Sequence, residues 1–315
     1  LSAEAHRRAM AGMALAIGAY SLYSVGDAVV KGVAPFYPGT GIALWRYIVS
    51  TLVLGVASWR HDPRTFRSFP RPWLQIGRGG AVAVATAAFF VALGFLPLAE
   101  ATVIMYLSPI LIVFLSRLLL GEQVPRIAWV ATILAFAGVV VVVRPDVGHM
   151  QWVALLPLVT AFAMASFVIM NRVAAGSGDI LHTQFLISLS ALVVSSAIAL
   201  GGHLTGVERL HLSLPSPLVL LGCAAVAFTA TSAHALIIMA TDRISAGQIA
   251  PFTYVQLLGA VVLGTLFFGD WPDGMTLLGA LLIVAAGLMT WQAQRRALSR
   301  AHCGDDDGAS TIGLP

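Results

Sequence analysis

The chain has 315 residues, of which 58% are apolar and only 10% charged, and its formal net charge is +4. That balance excludes an ordinary soluble domain and fits a chain that resides in lipid. The basic excess reports membrane topology, as the loops show below, so nucleic acid is not an expected partner.

A bilayer core of about 30 Å takes roughly 20 helical residues per crossing. Apolar windows of that length lie near 10–30, 40–58, 74–94, 98–119, 126–143, 152–172, 181–201, 217–240, 245–268 and 274–292. The expected fold class is an all-α integral membrane protein with ten transmembrane helices. The first window follows "HRR" and has no small-residue cleavage site leading into a polar segment, so it reads as an anchor helix behind a tail of residues 1–8. Near its end, "VGDAVVKG" (25–32) sets Asp27 and Lys31 one turn apart, and Arg46 falls inside the second window. The third window carries Thr86, Phe89 and Phe90; the fourth opens on Glu100 and holds Tyr106 and Pro109. The sixth contains Phe162, Phe167 and, at its end, Asn171, and the eighth contains Thr229, Thr231, Ser232 and His234. The ninth carries Gln248, Pro251, Tyr254 and Gln256. Residues 295–315 are polar and patternless and are expected to be a disordered tail. Cys223 lies in a span and Cys303 in the tail, so no disulfide framework, metal site or cofactor is implied.

Arginines mark one side of the chain. Arg7 and Arg8 precede the first span, Arg60, Arg64, Arg67 and Arg71 follow the second, and Arg117, Arg126, Arg172, Arg243, Arg295, Arg296 and Arg300 continue the series. The other side has Lys31, Arg144 and Arg209. The positive-inside rule then places both termini in the cytoplasm of an inner, plasma-membrane protein.

An offset of 148 lays residues 106–138 over 254–286, matching Tyr106 with Tyr254, Gly121 with Gly269 and Glu122 with Asp270; an offset of 141 lays Lys31 on Arg172. The implied halves are 9–145 and 146–294, with five helices each. An odd number makes them insert with opposite orientations. Inverted repeats are an architecture of secondary transporters, with substrate bound near the midplane where helices are interrupted.

The segment "PLAEATVIMYLSPILIVFLSRLLLGEQVPRIAWVATILAFAGVVVVVRP" (97–145), its second copy at 243–291, and "GDAVVKGVAPFYPGTGIALWR" (26–46) resemble the EamA modules of the drug/metabolite transporter superfamily. The second copy departs from the first, with Leu257 at the position of Pro109 and Pro251 six residues earlier. The resemblance implies an exporter of small metabolites acting by alternating access, with neutral or aromatic amino acids as leading substrates and an aromatic amino-acid exporter as the expected type. Import or exchange of riboflavin, S-adenosylmethionine or another metabolite is the alternative.

Pro109 and Pro251 are expected to interrupt their helices, with Tyr106 and Tyr254 beside them. The tyrosines read either as aromatic walls of a binding site or as ordinary interhelical packing. His234 is either a substrate or proton contact or a satisfied hydrogen-bonding residue. Thr86, its counterpart in the first half, with Gln248, Gln256, Asn171 and Phe90, completes the candidate substrate set. Asp27, Lys31, Arg46 and Glu100 form a candidate charge network, either a gate on the outer side or a static clamp with Lys31 snorkelling.

Lys31 is the one lysine and is followed by Gly32, so the chain has no Walker-type phosphate loop. An intramembrane enzyme would need Ser177 of "AGSG" held by a base such as His234, far away in sequence. His203 and His211 flank Glu208 in a loop and read as solvated. A non-enzymatic carrier is the expectation, with a small-molecule substrate and the bilayer as partners. Small residues four apart, such as Ala14 and Gly18, allow close helix contact within a monomer or across a homodimer.

Overall fold

The computed structural model describes residues 3–92, 104–143, 155–176, 178–207, 211–269, 271–289 and 292. Long helices follow one another in chain order: α1 (Ala3–Val33), α2 (Gly39–His61), α3 (Pro72–Ala92), α4 (Ser108–Leu120), α5 (Arg126–Val143), α6 (Leu155–Val173), α7 (Ile180–Leu204), α8 (Pro217–Thr241), α9 (Ala246–Phe268) and α10 (Gly274–Met289). Among the described residues, α2, α6, α7, α8, α9 and the stretch of α1 from Arg7 are long and apolar enough to cross a membrane. α4, α10 and the Arg126–Val141 part of α5 are shorter apolar helices. The 13 residues of α4 span only about 20 Å at 1.5 Å per residue, less than a bilayer core.

Helix ends follow local chemistry. Asp179 caps α7 by accepting from the His182 amide at 3.0 Å, and Ser216 caps α8 with Pro217 in its first turn. α4 and α9 both stop at a left-handed glycine, Gly121 at φ 63° and Gly269 at φ 72°. A side chain at either position would strain the backbone. These two glycines are 148 residues apart, the offset at which the halves align.

α1 packs along α8 and α9; α3 packs between α6 and α7; α2 lies against α7 and α8. One apolar cluster joins α3, α4, α6 and α7 around Val82, Ile112, Phe167 and Ile187. A second joins α1 to α8 and α9 through Met13, Tyr20, Ile237 and Phe252. A third joins α5 and α10 across Tyr106 and Tyr254. Large apolar side chains such as Leu52, Val56, Phe114, Phe228 and Phe267 point outward and are exposed, as a lipid-facing surface requires.

Hydrogen bonds identify two faces. On one, Arg8 reaches the Asp242 carbonyl at 3.0 Å, Asp242 accepts from the Gly176 amide at 2.9 Å, and Arg172 meets Glu122 at 2.8 Å. The α1 start, the α4–α5, α6–α7 and α8–α9 connections therefore share this arginine-rich face. On the opposite face, the Tyr37 hydroxyl donates to the Ser213 carbonyl at 2.6 Å, tying the α1–α2 connection to the α7–α8 connection.

Candidate functional site

Both helices expected to be interrupted are interrupted. Ahead of α4 the helix breaks at Tyr106 and Leu107, where the Leu107 amide bonds to the Ile104 carbonyl at 3.1 Å, and Pro109 stands in the first turn of the helix that resumes. In α9 the regular helix gives way to a 3₁₀ stretch, Ala250–Tyr254, with Pro251 in its first turn. The prolines differ in register, yet each irregular stretch reaches the matched tyrosine. Proline at the start of a helical turn sacrifices no bond, which explains why the break lies beside the proline.

Tyr106 and Tyr254 meet each other. Their rings stack at 5.8 Å between centroids, and the Tyr254 hydroxyl donates to the Tyr106 carbonyl at 3.3 Å. Both are buried among Ala131, Ala135, Ile283 and Ala286. Counterparts that touch one another are what a pseudo-twofold axis places on itself. In this conformation the pair seals the junction between α4 and α9.

Beside the junction lies a polar and aromatic cluster. His234 on α8 is buried, with the Tyr23 ring 5.6 Å and the Phe167 ring 5.0 Å from its own. Tyr20 and Tyr23 on α1 are 5.8 Å apart. The Ser50 hydroxyl on α2 pairs with that of Thr231 at 3.0 Å, and Gln184 on α7 donates to the Thr231 carbonyl at 3.5 Å. The Tyr23 hydroxyl and the Gln184 carbonyl oxygen are buried without partners. Buried groups of this kind are costly in a membrane protein unless water or a bound molecule meets them.

Towards the opposite face, Asp27 accepts from the Gln256 side chain at 2.6 Å, while Ser24 donates to the Gln256 carbonyl at 2.8 Å. Asp27 is exposed although it sits within α1 and touches α9. A carboxylate facing lipid would be expensive, which favours an aqueous cleft at this point. Arg46 stacks on Tyr47 at 4.4 Å and donates to its hydroxyl. Lys31 lies 4.4 Å over the Phe268 ring. None of Asp27, Lys31 and Arg46 is ion-paired to another here; the partner that sequence reasoning did not assign to Asp27 is Gln256. Glu100 lies outside the described residues.

The remaining candidates have local duties. Gln248 accepts from the Ser245 amide at 3.1 Å in a capping box that starts α9. Thr86 donates to the Val82 carbonyl of its own helix at 2.9 Å. Phe167 is buried against His234, whereas Phe162 points outward, so these two do not share a lining. The Phe90 side chain and Ser177 lie outside the described set. His203 accepts from the Leu212 amide at 3.2 Å and stacks on His211.

Asn171 leads to a residue that sequence reasoning passes over. It accepts at 2.7 Å from Nε of Arg78, which is only 1% exposed and also donates to Gln75 at 3.1 Å. Arg78 stands near the start of the third window and so resembles an interfacial arginine. Its six-residue depth into α3 was the available signal. Tyr20, Tyr23 and Gln184 were hidden among the many residues of apolar spans.

The profile of the EamA-like transporter family matches twice, over residues 10–144 and 151–292. The chain is similar to an S-adenosylmethionine uptake transporter of Rickettsia felis, with 26% identity covering 83% of this chain and 85% of the relative. It is 28% identical to a riboflavin transporter of Rhizobium johnstonii, covering 82% and 83% of the two chains. It is 26% identical to the pseudopaline exporter CntI of Pseudomonas aeruginosa, covering 87% and 94%. A crystal structure with 19% identity superposes with a TM-score of 0.75 over 91% of this chain and 98% of that one, a likeness of fold. These names correct the expected aromatic amino-acid exporter type: the relatives carry S-adenosylmethionine, riboflavin and pseudopaline in their names. With two family matches that together span most of its length, this multi-pass membrane protein belongs to the EamA-like transporter family.

Proposed function

We propose that the chain is an inner-membrane carrier of small amphipathic metabolites, built as two inverted five-helix halves (9–145 and 146–294) with ten crossings. The arginine-rich face is cytoplasmic, along with both termini. The observation that carries this reading is the contact of Tyr106 with Tyr254 at two matched helix breaks, flanked by the cluster of Tyr23, Ser50, Gln184, Thr231 and His234. Broken helices at the repeat interface are where carriers of this architecture bind substrate. Rocking one half on the other would part the tyrosines and join the cluster to the cleft at Asp27.

Aromatic rings with unpaired polar tips suit a metabolite with an apolar body and polar ends. Amino acids and S-adenosylmethionine have that form, and the Rickettsia relative favours the latter. Riboflavin is the second reading, favoured by the Rhizobium relative and by the flat rings that tyrosines stack on. Transport is facilitated diffusion or exchange, with direction set by the substrate gradient.

The test is flux from liposomes holding the purified protein and a mixture of amino acids, S-adenosylmethionine and riboflavin. Saturable efflux of at least one of them, lost in folded Tyr106→Ala and Tyr254→Ala protein, is expected. Flux that rises linearly with concentration would identify a channel instead.

A further inference from the structure

Arg78 lies about 9 Å from the start of α3, at 1.5 Å per residue, and its side chain is fully enclosed between α3, α6 and α7. A charge at that depth is expensive unless an opposite charge or a polar cavity meets it. Its two side-chain partners are neutral amides, Asn171 through Nε and Gln75 through Nη1. Asp242, on the same face of the protein, accepts from the Gly176 amide at 2.9 Å. Nη2 of Arg78 and Nδ2 of Asn171 are both buried and both without a hydrogen-bond partner.

The two orphaned donors belong together. In a guanidinium, Nε–H and Nη2–H form the same edge of a rigid fork. Asn171 takes the Nε position with its oxygen, and its Nδ2 is bonded to the same carbon as that oxygen, so both orphaned donors belong to this one contact. Two adjacent donors beside one positive charge match the two oxygens of a planar monoanion. Asn171 stands one turn along α6 from Phe167, whose ring lies 5.0 Å from that of His234 in the central cluster. The paired donors therefore border the proposed transport path on its arginine-rich side.

We propose that Arg78 and Asn171 form the subsite that holds the carboxylate of the carried metabolite, with the aromatic cluster beside them taking its apolar body. This rests on the carrier reading above and narrows it to carboxylate-bearing substrates. Gln75 is a positioning residue that fixes the other edge of the guanidinium. With the arginine-rich face closed, as here, the subsite is sealed; opening that face would admit a carboxylate to the donors that now lack an acceptor.

The test compares acids with their amides in the full-length protein reconstituted in liposomes: phenylalanine against phenylalaninamide and methionine against methioninamide, with riboflavin as a probe lacking a carboxylate. The acids should show a KM lower than the amides by about 10- to 100-fold, the range that a charge-assisted hydrogen bond supplies. Arg78→Gln should erase that ratio, and Arg78→Lys should restore part of it. Asn171→Asp is the second variant. It supplies an internal carboxylate to Nη2, so it should raise the melting temperature and abolish the preference for acids. Equal KM values for acid and amide in the unaltered protein, or saturable flux of riboflavin alone, would overturn the subsite and leave the carrier standing. An acid-to-amide ratio unchanged by Arg78→Gln or, where that variant does not fold, by Asn171→Asp would overturn it as well. Absence of saturable flux for every probe would overturn the carrier reading itself.

Discussion

The two ends of this molecule are held shut by different chemistry. On the arginine-rich face, Arg172 pairs with Glu122 and also donates to the Thr241 carbonyl at 2.6 Å, and Asp242 bridges to Gly176. Glu122 comes from the first half of the chain and Arg172 from the second, so the ion pair ties the halves together, while the other two bonds brace the second half. Nearer the opposite face, Asp27 accepts from an amide and Arg46 lies against an aromatic ring. The Asp27 bond has one charged partner where the Arg172–Glu122 bond has two, and the doubly charged bond costs more to break. The difference teaches that this conformation is locked at its arginine-rich end and loosely held at the other, with Asp27 already exposed.

Packing sharpens the contrast and yields the largest expected effect. A Cβ at Gly79 of α3 would lie 2.5 Å from the Ile187 carbonyl oxygen and 2.8 Å from the Ala191 nitrogen, both backbone atoms of α7. Gly79→Ala must push the helices apart against backbone atoms, and destabilisation of about 3 kcal/mol, the upper end for overpacking, is expected. At Gly32, near the opposite face, a Cβ would meet nothing within 4 Å. Gly32→Ala should be neutral or stabilise by up to about 1 kcal/mol through helix propensity. Thermal denaturation of the two variants in detergent checks the pair; equal losses would remove the asymmetry.

Arg172→Gln comes next. Loss of the ion pair and of the bond to Thr241 should weaken the lock by about 1.5–3 kcal/mol, the worth of a hydrogen bond to a charged group. The measure is thiol labelling at Ser116→Cys, a fully buried position on α4, in protein with Cys223 and Cys303 replaced by Ser. Labelling should rise by about tenfold or more when Arg172→Gln is added. Unchanged labelling would mean that apolar packing alone closes this face.

A smaller effect is expected at Gln256. Interhelical hydrogen bonds in membranes average only about 0.6 kcal/mol, so Gln256→Ala should lower stability by about that amount. It should change labelling of Ala28→Cys, beside Asp27 on α1, by less than Arg172→Gln changes that of Ser116→Cys. The reverse ranking would invert the comparison.

The smallest expected effect lies in the connection after α2. There the Thr65 hydroxyl and the backbone amides of Arg64 and Thr65 hold the Asp62 carboxyl below its usual range. A lowered carboxylate pKa adds stability above the ordinary value, and that contribution fades as pH falls through the lowered one. Melting curves from pH 6 downward should show Asp62→Asn less stable at pH 6 and converging with the unaltered protein in acid. A constant difference would remove the charge from the explanation.

Much of the fold was legible because lipid imposes a coarse rule: long apolar windows become helices. The windows at 40–58, 181–201 and 217–240 sit within α2, α7 and α8. The fourth window reads as one span from 98, but α4 begins at Ser108 because the chain turns at Tyr106 and Leu107. Residues 93–103, with Glu100, and the tail from 295 lie outside the described residues. Site residues were legible in part. Tyr106 and Tyr254 stood out by the offset of 148, but nothing in their spacing said that they would face each other. Asp27 declared itself by its charge, whereas its acceptance from Gln256 depends on how α9 lies along α1.

The sequence by itself determined that this is a helical membrane protein of the EamA-like family with repeated halves, since composition, apolar length and matched motifs are properties of the chain. Only the tertiary structure decided which charges meet. Glu122 and Arg172 are 50 residues apart, Asp27 and Gln256 are 229 apart, and Arg78 and Asn171 are 93 apart. In a membrane the apolar residues that dominate such a sequence are nearly interchangeable against lipid. Pairing is decided instead by the few polar groups that cannot be left unsatisfied there, and their partners are set by helix packing across the whole length of the chain.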